Sequence, residues 1–582
     1  MKAIARRAVL IQLALFLCAY LATANAGTSP TGGNAGLAQL SGDAGCFHQK
    51  NPDDEEDETT GCTPARGILG ADAVSVSPDG RNVYVASRGP GNLLSRGSNG
   101  IAVFSRDTGS GRLDQLGCIT NNGSDGREGA DGACQDGDAL AQANWVTVSP
   151  DGQNVYATAS DGGVSTFRRS ASGRLTQIGC YTDAPLESRC KDGVALYRPT
   201  SAVVSPDGRN VYVTARGKSA VITFARDPET GDLTQTGCTS DDGSDGACAN
   251  GTALEGISGV TVSPDGRNVY VTAGKDGAVA TFARDPQTGA IAQTSCNLYA
   301  APADSSCAKA SGLADATEAQ VSPDGRFVYV TAIRSEAISV FARDDASGAL
   351  REVQCISEFD EKGCEDGSRL SFATAVEITS DGRRVYVIDA GGSALTAYRR
   401  DSSSGRITPE ACVEEGFDEE DDDFFEDEDE EDEGDGLRCG RANGIFGAKG
   451  LALSPDDQNA YVAADTGNSV AVFGTPVEVR TRSAKAFAGG LITVDIACPS
   501  GRPRGCAGRL DLASGKRWRT RAGSAAFRAP AGGTARVRVL LTPGARARLA
   551  RHRSMRLRVA VRERGTLALP PARSLLVRSG SR

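Results

Sequence analysis

Histidine is almost absent from this chain, with His48 and His552 the only two among 582 residues. The 17 cysteines include no pair at the CxxC spacing that structural zinc sites favour. These two scarcities exclude the common zinc sites as the reason for so many cysteines. They also leave few histidines for general acid or base chemistry.

Long apolar runs are equally scarce, and only the N-terminus has one. Three basic residues precede the run 8–22, and Ala24-Asn25-Ala26 is a small-residue cleavage site. We therefore expect a secretory signal peptide over residues 1–26, followed by a short linker over 27–33. Cys18 follows Leu17, where a lipoprotein signal would have a small residue, so we do not expect a lipid anchor. No other stretch is long and apolar enough to span a membrane.

What the chain does contain is a repeated phrase, Ser-Pro-Asp-Gly followed by a Val-Tyr-Val strand. It begins at Ser77, Ser149, Ser205, Ser263 and Ser322, with variants at Thr379 and Ser454. Proline at the second position and glycine at the fourth are typical of a type I turn between two strands. Regular self-similarity at this scale indicates propeller blades or a solenoid.

Each repeat contains four short segments rich in β-branched and aromatic residues, separated by Gly, Asp and Pro turns. Four strands per repeat favour a β-propeller over a β-solenoid. The seventh repeat has only three strands. Leu37 to Leu40, before Cys46, resembles the fourth strands of the other repeats. The sequence therefore predicts an all-β, seven-bladed propeller over residues 34–474, closed by this N-terminal strand.

The cysteines recur in register with the blades, one at the end of each fourth strand and one in the loop that follows. Local disulfides are the simplest interpretation, and they indicate an oxidising compartment. The expected pairs are Cys46 with Cys62, Cys118 with Cys134, Cys180 with Cys190, Cys238 with Cys248, Cys296 with Cys307, Cys355 with Cys364, Cys412 with Cys439 and, nearer the C-terminus, Cys498 with Cys506.

Charge divides the chain into an acidic body and a basic C-terminal domain over residues 475–582, which has a net charge of +20. Much of the acid lies in residues 53–58 and in an insertion over residues 414–435, where 17 of 22 residues are Asp or Glu. Such a run does not fold unless it is neutralised. Two neutralising partners are candidates, the basic domain and calcium at Asp418, Glu419, Asp421 and Asp422. The alternative is a solvated loop. No other cofactor or metal is expected.

The basic domain alternates apolar residues with arginine, which predicts a small β-sandwich with a short helix over residues 543–552. Its few aromatic residues and the signal peptide argue against a nucleic-acid partner. Two explanations of the arginines remain. They bind an anionic envelope polymer, or they reflect only a compositional preference for arginine. We expect a monomer.

The innermost strands of a propeller line its channel, and the residues before each Ser-Pro-Asp-Gly turn are therefore the candidate binding residues. At one mouth we expect a polar ring of Asp72, Asn144, Thr200, Ser258, Thr317, Thr374 and Lys449. Deeper candidates are Trp145, Glu318, Gln320 and Glu377. The residues alone assign no catalytic role.

The VSPDGRNVYV phrase, the D-x-x-TG turn and the fourth strand resemble the lactonase-like seven-bladed propellers, a group that includes 6-phosphogluconolactonase and muconate-lactonising enzymes. The resemblance covers about three quarters of the chain. It implies a lactonase-type hydrolase with histidine, arginine and acidic side chains at the channel. This chain has no histidine on any predicted inner strand. Acid and base roles would fall to Glu318, Glu377 or Asp72, whose ordinary pKa values are too low without strong desolvation.

Three hypotheses therefore stand for the function. The first is a secreted binding or surface-interaction module with an unknown ligand. The second is a lactone hydrolase or lactonising enzyme that acts at the channel. The third is an envelope adhesin that binds through the basic domain.

Overall fold

The computed structural model describes residues 38–40, 44–50, 61–88, 98–125, 132–183, 189–302, 305–359, 361–416, 439–474, 478–481, 483–498, 505–514, 520–530, 532–563 and 573–579. Seven sheets of similar topology follow one another along the chain, and the predicted seven-bladed propeller is confirmed. The calcium candidates Asp418, Glu419, Asp421 and Asp422 lie outside the described residues.

Within blades 1 to 6 the first four strands are antiparallel and pair in chain order. The innermost strands are Ala71–Val76, Ala143–Val148, Pro199–Val204, Ile257–Val262, Ala316–Val321, Ala373–Ile378 and Ala448–Leu453. The second strands are Asn82–Ser87, Asn154–Ala159, Asn210–Ala215, Asn268–Ala273, Phe327–Ala332, Arg384–Asp389 and Asn459–Ala464. The third strands are Gly100–Arg106, Val164–Arg169, Ala220–Arg226, Ala278–Arg284, Ala337–Arg343, Ala394–Arg400 and Ser469–Gly474.

The fourth strands of blades 1 to 6 are Leu113–Thr120, Leu175–Thr182, Leu233–Ser240, Ile291–Tyr299, Leu350–Ser357 and Ile407–Glu415. A short fifth strand pairs parallel to each of them, at Gln135–Asp136, Lys191–Asp192, Ala249–Asn250, Ala308–Ala310, Glu365–Asp366 and Gly440–Ala442. The sequence predicts four strands per blade. The fifth strand differs from that expectation because two or three residues are too few to show an alternating pattern.

The disulfides join each fourth strand to the residue directly before the fifth strand. All eight predicted pairs form, with Cα–Cα distances of 4.4 to 5.6 Å. In the propeller they are Cys46 with Cys62, Cys118 with Cys134, Cys180 with Cys190, Cys238 with Cys248, Cys296 with Cys307, Cys355 with Cys364 and Cys412 with Cys439. Cys498 pairs with Cys506 in the C-terminal domain.

The second cysteine of each propeller pair lies in the loop that follows the fourth strand, as the sequence predicts. Cys62, Cys134, Cys190, Cys248, Cys307, Cys364 and Cys439 each lie immediately before the short fifth strand of a blade. The bridge therefore fixes that strand against the fourth strand of the same blade. Eight bridges favour an oxidising, extracytoplasmic location. No helix in the described part of the chain has the length and apolar character needed to cross a membrane.

Blade 7 combines strands from two distant parts of the chain. Ala38–Gln39 pairs with the end of Ser469–Gly474, and Cys46–His48 pairs with its beginning, both antiparallel. Thr63–Pro64 then adds the fifth strand. The residues before Ala38, including Leu37, lie outside the described part.

The repeated phrase forms the turn that its residues predict. In blade 1, Gly80 has φ of 67° and its N–H donates to the Ser77 carbonyl at 2.7 Å. The Ser77 hydroxyl donates to Asp79 at 2.6 Å and accepts from the Asn82 N–H at 3.0 Å. Serine, aspartate and glycine each contribute to the geometry of this turn. The role of the repeated phrase is therefore primarily structural.

In blades 1 to 6 a buried arginine at the end of the third strand joins the blade to its preceding neighbour in the ring; we call this set of contacts the arginine latch. In blade 5, Arg343 Nε donates to the Tyr270 hydroxyl at 2.9 Å, and its Nη2 contacts Asp265 at 2.8 Å and Asn268 at 2.6 Å. Tyr270 in turn donates to the Gly348 carbonyl at 2.9 Å. The other latch arginines are Arg106, Arg169, Arg226, Arg284 and Arg400.

The seventh interface, between blades 6 and 7, has no such arginine, because Thr475 follows blade 7's third strand where the other blades have arginine. Thr475 itself lies outside the described residues. A different contact connects these two blades. Asp457, which replaces the turn glycine of blade 7, accepts from the Ser380 N–H at 2.9 Å and from its hydroxyl at 2.5 Å.

The C-terminal residues form two further sheets. One contains Glu478–Val479, Leu491–Ala497 and Thr534–Leu540, and the other contains Ser483–Ala486, Arg573–Ser579, Ser554–Glu563, Cys506–Ser514 and Thr520–Ala529. Ile492, Val494 and Val539 of the first sheet share a buried core with Leu510 and Leu557 of the second. The helix Pro543–His552 has the bounds expected from the sequence. Short 3-10 turns are Arg216–Lys218, Gly243–Gly246 and Ala488–Gly490.

Candidate functional site

The polar ring of the channel mouth lies at irregularities in the innermost strands. In all seven blades the pairing between the first and second strands shifts register beside the ring residue. Such bulges redirect side chains. Here they turn the ring residues toward the neighbouring blade.

Five ring residues use their side chains to bind the next innermost strand. Asn144 Nδ2 donates to the Pro199 carbonyl at 2.8 Å, and the Thr200 hydroxyl donates to Ser258 O at 2.9 Å. The same contact continues around the ring from Ser258 to Ala316 O, from Thr317 to Ala373 O and from Thr374 to Lys449 O. These side chains connect neighbouring blades, and their hydrogen-bond donors are already used in those contacts.

The remaining ring residues, Asp72 and Lys449, form an ion network between blades 1 and 7. Asp72 contacts Arg88 at 2.7 Å and Lys449 at 3.3 Å, and Lys449 also pairs with Asp465. Burial lowers the pKa of Lys449, but the carboxylates of Asp72 and Asp465 outweigh burial and raise it above its ordinary value. Lys449 is therefore a paired cation at neutral pH.

Deeper in the channel, polar side chains of three adjacent blades form a hydrogen-bonded row. Thr261 donates to Gln320 Oε1 at 3.4 Å, and Gln320 Nε2 donates to Glu377 Oε2 at 3.2 Å. Glu318 lies next to this row and accepts from the Val376 N–H at 3.2 Å. The structure thus brings Glu318, Gln320 and Glu377 together.

Burial raises the pKa values of both glutamates. Burial raises the pKa of Glu377 to about 7, although hydrogen bonds from Gln320 and the Ile378 N–H act to lower it. Burial and then the nearby Glu377 carboxylate raise the pKa of Glu318 well above its ordinary range. The desolvation that acid and base chemistry requires of a carboxyl group is therefore present at this pair.

Trp145 does not join this pair. Its indole N–H donates to the Ala202 carbonyl at 2.8 Å, and its ring packs at the interfaces on both sides of blade 2. Neither histidine lies on an innermost strand, since His48 ends the strand Cys46–His48 of blade 7 and His552 ends the C-terminal helix. No cluster of three or more His, Cys, Asp or Glu side chains able to hold a metal occurs among the residues described.

Three aromatic residues at the mouth are absent from the candidates that the sequence suggests. Tyr197, Phe372 and Phe446 lie in the loops that lead into innermost strands, and they are 54%, 49% and 44% exposed. A comparison of the two residues before each innermost strand could have found them, because blades 2, 4 and 5 have only small or polar residues there and blade 1 has the buried Leu69.

A comparison with known protein families finds a seven-bladed propeller, as the structure does. The family model described as Lactonase, 7-bladed beta-propeller matches residues 197–305 and 318–416, which include Glu318, Gln320 and Glu377. This part of the chain is similar to the lactonase-like seven-bladed propellers. Comparison with curated proteins gives no match.

Solved structures similar to the lactonase-like propeller have low sequence identity. A putative 6-phosphogluconolactonase from Bacteroides uniformis is 19% identical over 58% of this chain and 87% of its own, with a TM-score of 0.41. The periplasmic gluconolactonase PpgL of Pseudomonas aeruginosa is 23% identical over 59% and 85%, with a TM-score of 0.42. Hydrazine synthase of Kuenenia stuttgartiensis is 14% identical over 70% and 96%, with a TM-score of 0.44.

Proposed function

We propose that the protein hydrolyses a lactone in the propeller channel, outside the cytoplasm. The observation that carries the proposal is the pair of inner-strand glutamates, of which Glu377 has a pKa raised to about 7 by burial. A base with a pKa near the working pH combines a useful ionised fraction with a useful proton affinity.

In this proposal Glu377 takes a proton from water, and the resulting hydroxide attacks the lactone carbonyl carbon. The ring C–O bond then breaks, and the proton passes from Glu377 to the leaving alkoxide. Protonated Glu318 donates a hydrogen bond to the carbonyl oxygen as negative charge develops there. Gln320 is a positioning residue, because its amide holds the Glu377 carboxylate.

The test is a pH-stat assay of the intact chain on a panel of γ- and δ-aldonolactones. Glu377→Gln should lower kcat by about 10²- to 10⁴-fold with little change in KM. Glu352→Gln is the matched control, because burial also raises the pKa of Glu352 but this residue lies on a fourth strand, away from the channel. An inactive wild type, or full activity in Glu377→Gln, would contradict the proposal.

Ligand binding without chemistry is the second candidate. The contacts of the mouth favour it, since Asp72 and Lys449 are paired with each other and with Arg88 and Asp465. No cation of that network is left to stabilise an oxyanion. Saturable binding of a lactone without turnover would select this function.

A further inference from the structure

The loops that enter the innermost strands form the rim of the channel mouth, and aromatic residues occupy this rim in three blades. Tyr197 and Phe446 lie two residues before the strands of blades 3 and 7, and Phe372 lies directly before that of blade 6. Each exposes close to half of its side chain. Most large apolar residues elsewhere in the propeller are buried. Exposed aromatic groups concentrated at a channel mouth are typical of a binding surface.

Two of the rings rest on glycines of the adjacent hairpin turn, which leaves no room for a side chain beneath them. A Cβ added at Gly391 would lie 2.7 Å from Phe372 Cδ2, and one added at Gly217 would lie 2.3 Å from Tyr197 Cδ1. Phe446 is placed similarly, since a Cβ at Gly467 would lie 3.1 Å from its carbonyl oxygen and 3.5 Å from its Cβ. Gly217 and Gly391 thus lie against the rings of Tyr197 and Phe372, whereas Gly467 lies against the backbone and Cβ of Phe446.

The backbone of Phe372 has an unfavourable conformation. Its φ is 55°, in the left-handed region that bulky residues rarely adopt. The equivalent residues of the other six blades share this conformation, as glycine at Gly70, Gly256 and Gly447 and as other residues at Gln142, Arg198 and Asp315. The left-handed residue before the innermost strand is therefore a feature of every blade, and it does not by itself mark Phe372 as a ligand site.

The charge of the molecule restricts the partner. Residues 27–474 carry a net charge of about −34, which repels anionic polymers. Polar groups share the mouth with the rings, since the side chains of Arg88 and Lys449 are 37% and 35% exposed. A ligand that fits must not be strongly anionic, must have flat apolar faces for the rings and must have hydroxyl groups for the polar side chains. Pyranose rings have both features.

We propose that the rim formed by Tyr197, Phe372 and Phe446 binds a neutral, pyranose-based polysaccharide. The C–H face of a sugar ring packs on the exposed side of each aromatic ring, and sugar hydroxyls hydrogen-bond to the exposed polar groups. The three residues lie on separate blades, so a chain of several sugars fits them better than a single ring. This binding site is separate from the glutamate pair and does not depend on hydrolysis.

The test is affinity electrophoresis of the intact chain in native gels that contain xylan, glucomannan, hydroxyethylcellulose or dextran. At least one polymer should retard the wild type. Phe372→Ala and Tyr197→Ala should each raise the apparent Kd about tenfold or more, as loss of an aromatic anchor does. Phe372→Trp should keep the retardation, because it keeps an aromatic face.

Phe487→Ala is the matched control, because Phe487 is 65% exposed on the C-terminal domain. It should bind like the wild type. The hydrolysis of a small aldonolactone should also be unchanged in the rim variants, which separates this site from the proposed reaction. A wild type that no polymer retards, or alanine variants that bind like the wild type, would overturn the proposal.

Discussion

Tyr398 is the residue at which blade 6 departs most plainly from its neighbours. It occupies the third-strand position that is phenylalanine in the other six blades. Its hydroxyl is buried and has no hydrogen-bond partner within the described residues. A buried hydroxyl that lacks a partner costs about 1–3 kcal/mol.

We therefore expect Tyr398→Phe to raise the free energy of unfolding by about 1 kcal/mol. Tyr270→Phe makes the same chemical change at a tyrosine that contacts Arg343 and Gly348, and it should lower this free energy by a similar amount. Denaturant melts measure both. Destabilisation by Tyr398→Phe would mean that its hydroxyl has a partner in solution.

Two buried carboxyl groups give a stability that depends on pH. Burial raises the pKa of Asp389 to about 7, and burial also raises that of Glu377 to about 7. The folded state then binds more protons than the unfolded state between about pH 4 and 7. Stability from these groups is present at the acidic end of that window and is lost as pH rises through 7.

The latch aspartates act in the opposite direction. Burial tends to raise the pKa of Asp79, but hydrogen bonds from Ser77 and Arg169 lower it to about 2. Stability from this group is lost as pH falls below about 4. Thermal melts should thus show a maximum in mildly acidic buffer. Asp389→Ala, which places the alanine of five other blades at this position, should flatten the loss above pH 5. An unchanged profile in that variant would contradict the assignment.

At the scale of strands and turns, the arginine latch is a contact between neighbouring blades whose contribution to stability can be measured directly. Arg343→Leu leaves Tyr270, Asp265 and Asn268 without their shared partner, and removal of one partner from a buried ion pair costs about 3–5 kcal/mol. Arg267→Leu alters an exposed arginine of the neighbouring turn and should change stability by less than about 0.5 kcal/mol. Equal effects of the two variants in chemical denaturation would show that the latch contributes little.

The disulfides differ in the length of chain that they close. The bridge between Cys412 and Cys439 spans 27 residues, and the one between Cys238 and Cys248 spans 10. In the chain-entropy description, the longer loop restricts the unfolded state more, by about 1 kcal/mol. Double alanine variants should therefore show the larger loss of stability for the pair Cys412 and Cys439. The reverse order would indicate that loop entropy does not dominate here.

Much of this architecture follows from the sequence, because a blade is built from local contacts. The turn residues around Ser77 and the alternating strands recur in every repeat, and the disulfides close within each blade. The latch does not follow in the same way, since Arg343 binds residues more than 70 positions earlier. An arginine at the end of six third strands is visible in the sequence, but its partners lie in another repeat.

The candidate site was predictable only in part. Glu318, Gln320 and Glu377 are identifiable as inner-strand residues. The hydrogen bond from Gln320 to Glu377 and the burial that raises both glutamate pKa values depend on how the blades are arranged around the channel. The rim aromatics were missed because Phe372 and Tyr197 belong to loops, where apolar residues follow no periodic pattern.

At the scale of the whole molecule, the interface between blades 6 and 7 should open first. It lacks an arginine latch, and the contacts of Asp457 with Ser380 lie on the exposed turns. Native-state hydrogen exchange should therefore be faster in Arg384–Asp389 than in the equivalent strands Asn210–Ala215 and Asn268–Ala273. Equal protection of the three strands would show that the missing latch is compensated.

Blade 7 combines strands from the two ends of the propeller sequence, and this pairing decides when the ring can close during synthesis. Residues 38–48 leave the ribosome first, and their partner Ser469–Gly474 follows more than 400 residues later. At about 5–20 residues per second, this delay is roughly 20–80 s. For that time the N-terminal strands lack their partner in blade 7 and remain available to other chains. The ring can therefore close only after residue 474 has been synthesised, and slower synthesis lengthens the time during which residues 38–48 can pair with another chain.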